Sequence, residues 1–181
     1  MLWLIRHGES IANLGHKTDN PASIPLSENG IVQAKEIANN FIIKPDLIVT
    51  SSYIRTLQTA TPLIKKYPDT PVETWDVHEF TYLCPKTCVK TTTEERKPRV
   101  DKYWEKNDPD YIDGEGAESF NQFLQRVQNL INTNHEDKFI VVFTHELFIN
   151  ACLLKKSIYH LSMKEFFENK AKIKNAKIIK F

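Results

Sequence analysis

Residues 4–10 read LIRHGES, and this stretch decides the fold. It closes the first apolar run of the chain, whose continuous hydrophobic pattern over residues 2–5 is typical of a buried strand. Arg6 and His7 follow that run directly, and a glycine and two polar residues come next. A strand end needs only a turn residue at this point. The cation beside an imidazole therefore indicates a functional site.

The same arrangement recurs along the chain. Two segments with helical periodicity, residues 52–67 and 120–131, lie between short apolar runs. Pro62 is expected to kink the first of these helices or to end it early. This alternation predicts an α/β fold, a three-layer α/β/α sandwich with a mostly parallel central sheet. The further runs that we interpret as buried strands are residues 47–50, 72–75 and 139–143.

Residues 81–116 interrupt the alternation with a segment rich in aromatic and basic side chains. We predict one domain over residues 1–181, in which this segment forms an inserted, ordered cap that contacts the substrate. It contains the basic stretch ERKPR at residues 95–99. Arg96 and Arg99 in this stretch either bind a second anionic group of the substrate or lie in solvent, and we slightly favour solvent.

Composition excludes several classes of protein. The chain has 181 residues, 41% hydrophobic and 26% charged, with a net charge of +1, so neither a nucleic acid nor a membrane is an expected partner. Its first ten residues are too weakly apolar for a signal peptide. Three cysteines make an odd number, which favours reduced thiols and a cytoplasmic location. Cys84 and Cys88 lack the second ligand pair of a metal site, so we predict no metal and no cofactor.

Polar residues that follow the predicted strands should meet at one edge of the sheet, because the carboxyl ends of parallel strands lie together. This set is suited to phosphate chemistry. Arginine forks bind phosphate oxygens, and a neutral imidazole can attack phosphorus. A second imidazole can donate to the transition state, and a protonated carboxylic acid can protonate the leaving oxygen. The set consists of Arg6, His7, Arg55, Glu79 and His145.

Four motifs give the chain a resemblance to the histidine phosphatase superfamily, also called the phosphoglycerate mutase-like family. They are LIRHGES with Asn13, PLSENGIVQA at 25–34, SSYIRTLQTA at 51–60 and VVFTHE at 141–146, in the order of the family. The resemblance implies that His7 is the nucleophile. It also implies a phosphate pocket formed by Arg6, Arg55 and His145, with Asn13 as a further phosphate contact.

Two positions depart from the family pattern. Glu79 falls where the family has its proton donor, but the surrounding VHEFTYL is not the commoner Glu-…-Gly-…-Glu-Gly pattern. Glu146 replaces the glycine that usually follows the second histidine. Both departures concern the identity of the substrate more than the phosphate chemistry. Glu115, Glu118 and Glu146 remain alternatives to Glu79 as proton donor.

The sequence therefore predicts a metal-independent phosphatase that hydrolyses a phosphomonoester or a phosphohistidine. The reaction would pass through a covalent phosphohistidine on His7, with a small phosphorylated molecule or a phosphoprotein as substrate. Two alternatives stay open, a phosphoglycerate-type mutase and a non-catalytic domain that binds a phosphorylated ligand. The pattern indicates no particular oligomeric state.

Overall fold

The computed structural model describes residues 1–133, 137–157 and 160–181. A five-stranded sheet forms its centre, with the strand order β3-β2-β4-β1-β5. β5 runs antiparallel to β1, and the other neighbouring strands are parallel. The predicted α/β fold with a mostly parallel sheet is therefore confirmed. The strands are β1 (Leu2–Arg6), β2 (Leu47–Thr50), β3 (Val72–Thr74), β4 (Ile140–Thr144) and β5 (Ile178–Lys180).

Helices cover both faces of the sheet. One face packs against the first two helices through a core that includes Ile37 and Leu63. The other face packs against the fourth, fifth and sixth helices through a core rich in phenylalanine, including Phe123, Phe148 and Phe166. The helices are α1 (Glu28–Asn40), α2 (Ile54–Lys66), α3 (Thr93–Lys106), α4 (Phe120–Asn132), α5 (Glu146–Ser157) and α6 (Met163–Asn169).

Two expectations about these elements are wrong. β3 was expected to be buried, but its three residues are exposed because it is an edge strand with a single neighbour. Pro62 does not end α2 early, because the helix continues through it to Lys66. Pro62 is only partly buried, while Ala60 and Leu63 beside it are fully buried, so packing against the sheet holds the helix across the missing hydrogen bond.

The segment 81–116 contains a short 3-10 turn, Pro85–Cys88, and helix α3. Its aromatic side chains extend the main core. Tyr103 and Trp104 of α3 are buried and contact Phe80, whose ring stacks on Phe123 of α4 at a centroid distance of 4.4 Å. The aromatic residues thus join the segment 81–116 to the main core.

The topology brings three strand ends together. Arg6 of β1 pairs with Thr144 of β4, and Thr50 of β2 pairs with Phe143, so β1, β2 and β4 end at the same edge. None of the helices in the described residues is both long enough and apolar enough to cross a membrane.

Candidate active site

Backbone hydrogen bonds between the strand ends position the two histidines. The His7 N–H donates to the Thr144 carbonyl at 3.0 Å, which places His7 beside the end of β4. His145 follows β4 directly, and its ring centroid lies 5.1 Å from that of His7. Both side chains are buried. The predicted histidine pair therefore lies at one edge of the sheet.

Arg55, in the first turn of α2, contacts both histidines. Its Nε donates to Nε2 of His7 at 3.2 Å, and its Nη2 lies 3.1 Å from Nδ1 of His145. A guanidinium has no lone pair to accept a hydrogen bond, so each of these ring nitrogens must be the acceptor. Each imidazole then carries its proton on the other nitrogen. His7 Nδ1–H donates to the Gly8 carbonyl at 2.7 Å, and His145 Nε2–H donates to the Ser51 hydroxyl at 2.8 Å.

The neutral state of both rings has a physical cause. Burial, followed by the positive charge of Arg55, holds the pKa of His7 well below its usual range. The same two causes, in the same order, hold the pKa of His145 well below its usual range. His7 therefore presents the unprotonated Nε2 that a nucleophile requires.

Arg55 itself is held in a fixed orientation. Its Nη1 donates to the Pro21 carbonyl at 2.6 Å, and its guanidinium carbon lies 4.7 Å from the centre of the Tyr53 ring. Burial lowers the pKa of Arg55 to about 10, so the group keeps its charge at neutral pH.

Arg6 is buried next to His7 along the chain, but its side chain points to different partners. Its Nη2 lies 3.1 Å from a carboxylate oxygen of Glu146 at the start of α5, and its Nη1 donates to the Ile173 carbonyl. Among the described residues, the buried Nε of Arg6 has no hydrogen-bond partner. Of the predicted cationic groups, Arg6 is thus the one already neutralised by a carboxylate.

Glu79 lies in the loop after β3 and is half-buried. Its Oε1 accepts hydrogen bonds from the Phe80 N–H and from the Leu147 N–H in the first turn of α5, both at 3.1 Å. Burial raises the pKa of Glu79 above its usual range, although these amides and the charge of Arg55 oppose the rise. A carboxyl group of this kind is suited to donate a proton.

The three alternative proton donors are engaged elsewhere. Glu115 is exposed and pairs with Lys86. Glu118 makes two hydrogen bonds to Arg126, at 2.9 and 2.7 Å. Glu146 pairs with Arg6, as described above. Of the four carboxyl groups considered, Glu79 is the one that faces the site without an ion-pair partner among the described residues.

Asn13 lies at the periphery of the site and is exposed. Its side-chain oxygen accepts from the Ser10 N–H at 3.0 Å and from the Ser10 hydroxyl at 2.9 Å. The Asn175 amide donates to both Asn13 Oδ1 and the His7 carbonyl, at 3.2 and 3.1 Å. The structure thus connects Asn13 to His7 through Asn175.

Sequence reasoning missed the residues that support this site. Ser51 contacts His145 and also lies 3.0 Å from the hydroxyl of Thr56. The Thr59 hydroxyl accepts from the Gly8 N–H at 3.0 Å, and Gln33 accepts from the Glu9 N–H at 2.8 Å. Thr59 and Gln33 lie in helices, where periodicity does not distinguish them from ordinary helix positions, and Ser51 lies in the loop between β2 and α2. For Ser51, Thr56 and Thr59, the signal that could have found them is the density of hydroxyl groups around Arg55 in the sequence.

A pocket of about 160 Å³ opens between this site and the cap. Arg55, Tyr53 and Glu79 line its inner side, and Tyr82 and Arg96 of the cap also line it. Among the described residues, no group of three or more histidine, cysteine or acidic side chains is arranged to hold a metal ion.

Comparisons with known proteins identify the family and fold of the chain. The family model of the histidine phosphatase superfamily (branch 1) matches residues 2–181. A crystal structure of phosphoserine phosphatase from Entamoeba histolytica, in complex with 3-phosphoglyceric acid, is 27% identical with a TM-score of 0.74, covering 98% of this chain and 87% of that chain.

Two further structures show the same fold at lower identity. A putative alpha-ribazole-5'-P phosphatase from Escherichia coli is 22% identical with a TM-score of 0.73, covering 94% of this chain and 85% of that chain. A mycobacterial glucosyl-3-phosphoglycerate phosphatase complexed with VO3 is 20% identical with a TM-score of 0.72, covering 98% of this chain and 88% of that chain. No curated protein matches the sequence.

Proposed function

Since this chain belongs to the histidine phosphatase superfamily and is a phosphatase of that family, we propose that it hydrolyses small phosphomonoesters through a covalent phosphohistidine on His7. One observation carries the proposal. Arg55 donates to His7 Nε2 and to His145 Nδ1 at the same time, which keeps both rings neutral and directs the nucleophilic lone pair toward a phosphate-binding guanidinium.

In the first step a phosphoryl oxygen takes up the Arg55 N–H that His7 Nε2 accepts in the structure, and the freed lone pair of Nε2 attacks phosphorus. The Nε2–P bond forms, and the bond from phosphorus to the ester oxygen breaks. The Gly8 carbonyl holds the Nδ1 proton, so the imidazole keeps its orientation and its developing positive charge is stabilised. Arg55 binds the phosphoryl oxygens that carry the spreading negative charge.

His145 assists the same transition state through a change of tautomer. In the structure its Nδ1 is an acceptor and its Nε2 carries the proton, but Ser51 is compatible with the other neutral tautomer too, because a hydroxyl is both donor and acceptor. In that tautomer the ring has lost the Nε2 proton to water and gained one from water at Nδ1, so it stays neutral and Nε2 accepts a hydrogen bond from Ser51. Once a phosphoryl oxygen has replaced Nδ1 as the partner of Arg55, the Nδ1–H donates to that oxygen.

Glu79 supplies the proton that the leaving alkoxide needs. Its raised pKa favours the protonated form, and it lines the same pocket as Arg55. Once ionised, the carboxylate accepts a proton from the water molecule that attacks the phosphoenzyme. The electrons of the Nε2–P bond return to His7, and inorganic phosphate leaves. No metal ion takes part in this scheme.

The size of the pocket and the comparisons support a small substrate. About 160 Å³ is well below the roughly 300–1,000 Å³ of pockets for drug-sized ligands. The Entamoeba histolytica phosphatase was crystallised with 3-phosphoglyceric acid, and a mutant of it, in which alanine replaces a histidine, was crystallised with phosphoserine. The free thiols of Cys84, Cys88 and Cys152 support a cytoplasmic location.

The test is to trap the phosphoenzyme. Brief reaction with a labelled phosphomonoester should leave an acid-labile, base-stable phosphoryl label on the wild-type protein. The His7→Ala variant should carry no label and release no phosphate, while His16→Ala, at an exposed histidine, should match the wild type. A label that persists in His7→Ala would contradict the assignment. Recovery of an isomerised substrate in place of inorganic phosphate would indicate a mutase, and binding without a label would indicate a ligand-binding domain.

A further inference from the structure

The five arginines of the chain differ in whether a carboxylate neutralises them, and this difference indicates the class of substrate. Three of them are neutralised by a carboxylate in the structure: Arg6 by Glu146, Arg99 by Asp113 and Arg126 by Glu118. Within the described ranges, neither Arg55 nor Arg96 has a carboxylate at ion-pairing distance. These same two arginines line one pocket.

Arg96 belongs to α3 in the cap and is partly buried. Its Nη1 donates to the Thr91 carbonyl and hydroxyl, at 3.0 and 3.1 Å, and its Nη2 donates to the Thr93 hydroxyl at 3.3 Å. These partners are neutral oxygens that fix the direction of the side chain without cancelling its charge. A partly buried, oriented and unneutralised guanidinium on a pocket wall is suited to an anion.

Arg99 provides a contrast from the same helix, one turn further on. Its Nη2 lies 2.6 Å from Asp113, and its Nη1 donates to the Thr87 carbonyl. It does not line the pocket. The two basic residues of ERKPR are therefore not equivalent, and the expectation that both lie in solvent does not describe Arg96.

Tyr82 lines the same pocket as Glu79 and Arg96. Burial and, after it, the negative charge of Glu79 raise the pKa of Tyr82 to about 12, although the positive charge of Arg96 opposes the rise. Tyr82 therefore lies within electrostatic range of both the proposed proton donor and the cap arginine. Glu79 and Arg96 thus line the same pocket, and Arg96 is available to a group of the substrate other than the ester oxygen that Glu79 protonates.

We infer that the substrate is a small phosphomonoester that also carries a carboxylate, and that Arg96 binds this carboxylate while Arg55 binds the phosphoryl group. This inference rests on the proposed function and specifies its substrate class. A carboxylate fits better than a second phosphate, because a single guanidinium with part of its donors engaged offers one positive charge. Arg96 is thus a specificity-determining residue of the cap.

The experiment compares carboxyethyl phosphate with its isosteric amide, carbamoylethyl phosphate, which differ only in charge. In the wild type, kcat/KM should favour the carboxylate by about tenfold to a hundredfold, the range for a hydrogen bond to a charged group. The Arg96→Gln variant should lose this preference, because its kcat/KM should fall for carboxyethyl phosphate and stay unchanged for carbamoylethyl phosphate. Arg96→Lys, which keeps the charge but not the fork, should retain part of the preference.

Arg99→Gln is the matched control and should leave the preference of the wild type within about twofold, since that arginine is paired within the cap. Equal loss on both esters in a folded Arg96→Gln variant would overturn the inference, and so would a wild type that does not distinguish them.

A binding measurement separates this inference from the proposed reaction. Calorimetry with carboxyethyl phosphate is performed on His7→Ala and on His7→Ala combined with Arg96→Gln, neither of which needs to turn over. Weaker binding of about tenfold or more in the second protein supports the inference even if no ester is hydrolysed by the wild type. Equal binding by the two proteins refutes it, while hydrolysis by the wild type would still support the proposed function.

Discussion

Arg55 directs one N–H group at His7 and another at His145, and since it can only donate, it decides the protonation of both rings. A lysine at this position would supply the charge but could not reach both nitrogens with a planar fork. The Tyr53 ring and the Pro21 carbonyl hold the fork in place. In the proposed reaction one residue thus prepares the nucleophile, orients its partner and binds the phosphoryl group.

The role of Glu79 predicts a dependence on the leaving group. Aliphatic alkoxides need a proton and nitrophenolate does not, so Glu79→Gln should slow the first-turnover burst on an alkyl phosphate by about a hundredfold to ten-thousandfold. The burst with p-nitrophenyl phosphate should change much less. Glu115→Gln, at an exposed carboxylate, is the control and should behave as the wild type. An equal loss on both esters would exclude Glu79 as the acid.

The pH dependence of the same reaction follows from the shifted pKa values. Glu79 must be protonated to act as an acid, so kcat/KM on an alkyl phosphate should fall as pH rises through the raised pKa of Glu79. His7 must be neutral, and because its pKa is lowered, that requirement should reduce the rate only at pH well below about 6.5. In the Glu79→Gln variant, the fall of kcat/KM at high pH should be absent. If the variant still shows this fall, another group is responsible for it.

At the scale of elements, two glycines allow the loop after β1 to pack closely against the first turn of α1. A Cβ atom built on Gly30 would lie 2.0 Å from the carbonyl oxygen of Glu9, and one on Gly8 would lie 2.7 Å from the carbonyl oxygen of Gly30. The Ser27 hydroxyl caps this turn by accepting from the Gly30 N–H and donates to the Glu9 carboxylate. The close approach fixes the loop that carries His7.

Gly30→Ala should therefore reverse the usual effect of this substitution in a helix. Where there is space for the methyl group, replacing glycine by alanine raises the free energy of unfolding by about 0.4–1 kcal/mol. Here the methyl group would clash with the Glu9 carbonyl, so the free energy of unfolding should fall by about 1–3 kcal/mol. Activity on p-nitrophenyl phosphate should fall as well, because the displaced loop moves the Gly8 carbonyl from His7. Asn29→Ala, at the exposed preceding position of the same helix, is the control. Urea unfolding measures the difference, and a Gly30→Ala variant as stable as this control would show that the loop adapts.

Much of this arrangement of elements could be predicted from the sequence. Apolar runs mark β1, β2 and β4 closely, because a strand buried on both faces needs a continuous hydrophobic stretch. The exposure of β3 could not be predicted, since it depends on the order of strands in the sheet. The continuation of α2 through Pro62 depends on packing on both sides of the proline, which local propensity does not contain.

For the candidate site, the sequence predicts which residues lie at the edge of the sheet better than it predicts which partners their side chains contact. His7, Arg55 and His145 follow strand ends, and a parallel sheet brings such ends together. Arg6 is the last residue of β1, but Glu146 from the first turn of α5 pairs with it, and sequence spacing does not indicate this contact. Likewise, no local pattern distinguishes Arg96 from Arg99, because the difference lies in Asp113, which reaches only one of them.

For the whole molecule, the buried neutral histidines make stability depend on pH. The unfolded chain takes up a proton on each of His7 and His145 near pH 6.5, whereas the folded protein does so only at lower pH, because burial and Arg55 lower both pKa values. Between these values the unfolded state binds more protons, so stability falls as pH falls. The raised pKa of Glu79 acts in the opposite sense, since there the folded state binds the extra proton.

Urea unfolding at pH values of about 7.5 and 5.5 should therefore show a loss of up to about 1.4 kcal/mol for each of the two histidines in the wild type. The double variant His7→Gln, His145→Gln should lose correspondingly less between the two pH values, even if its stability at neutral pH is lower, because glutamine does not titrate. The exposed His16→Gln variant serves as control and should keep the pH dependence of the wild type. If the double variant lost as much stability as the wild type, the acid sensitivity would come from other groups, and the neutrality of the two rings would have to be measured directly by NMR titration.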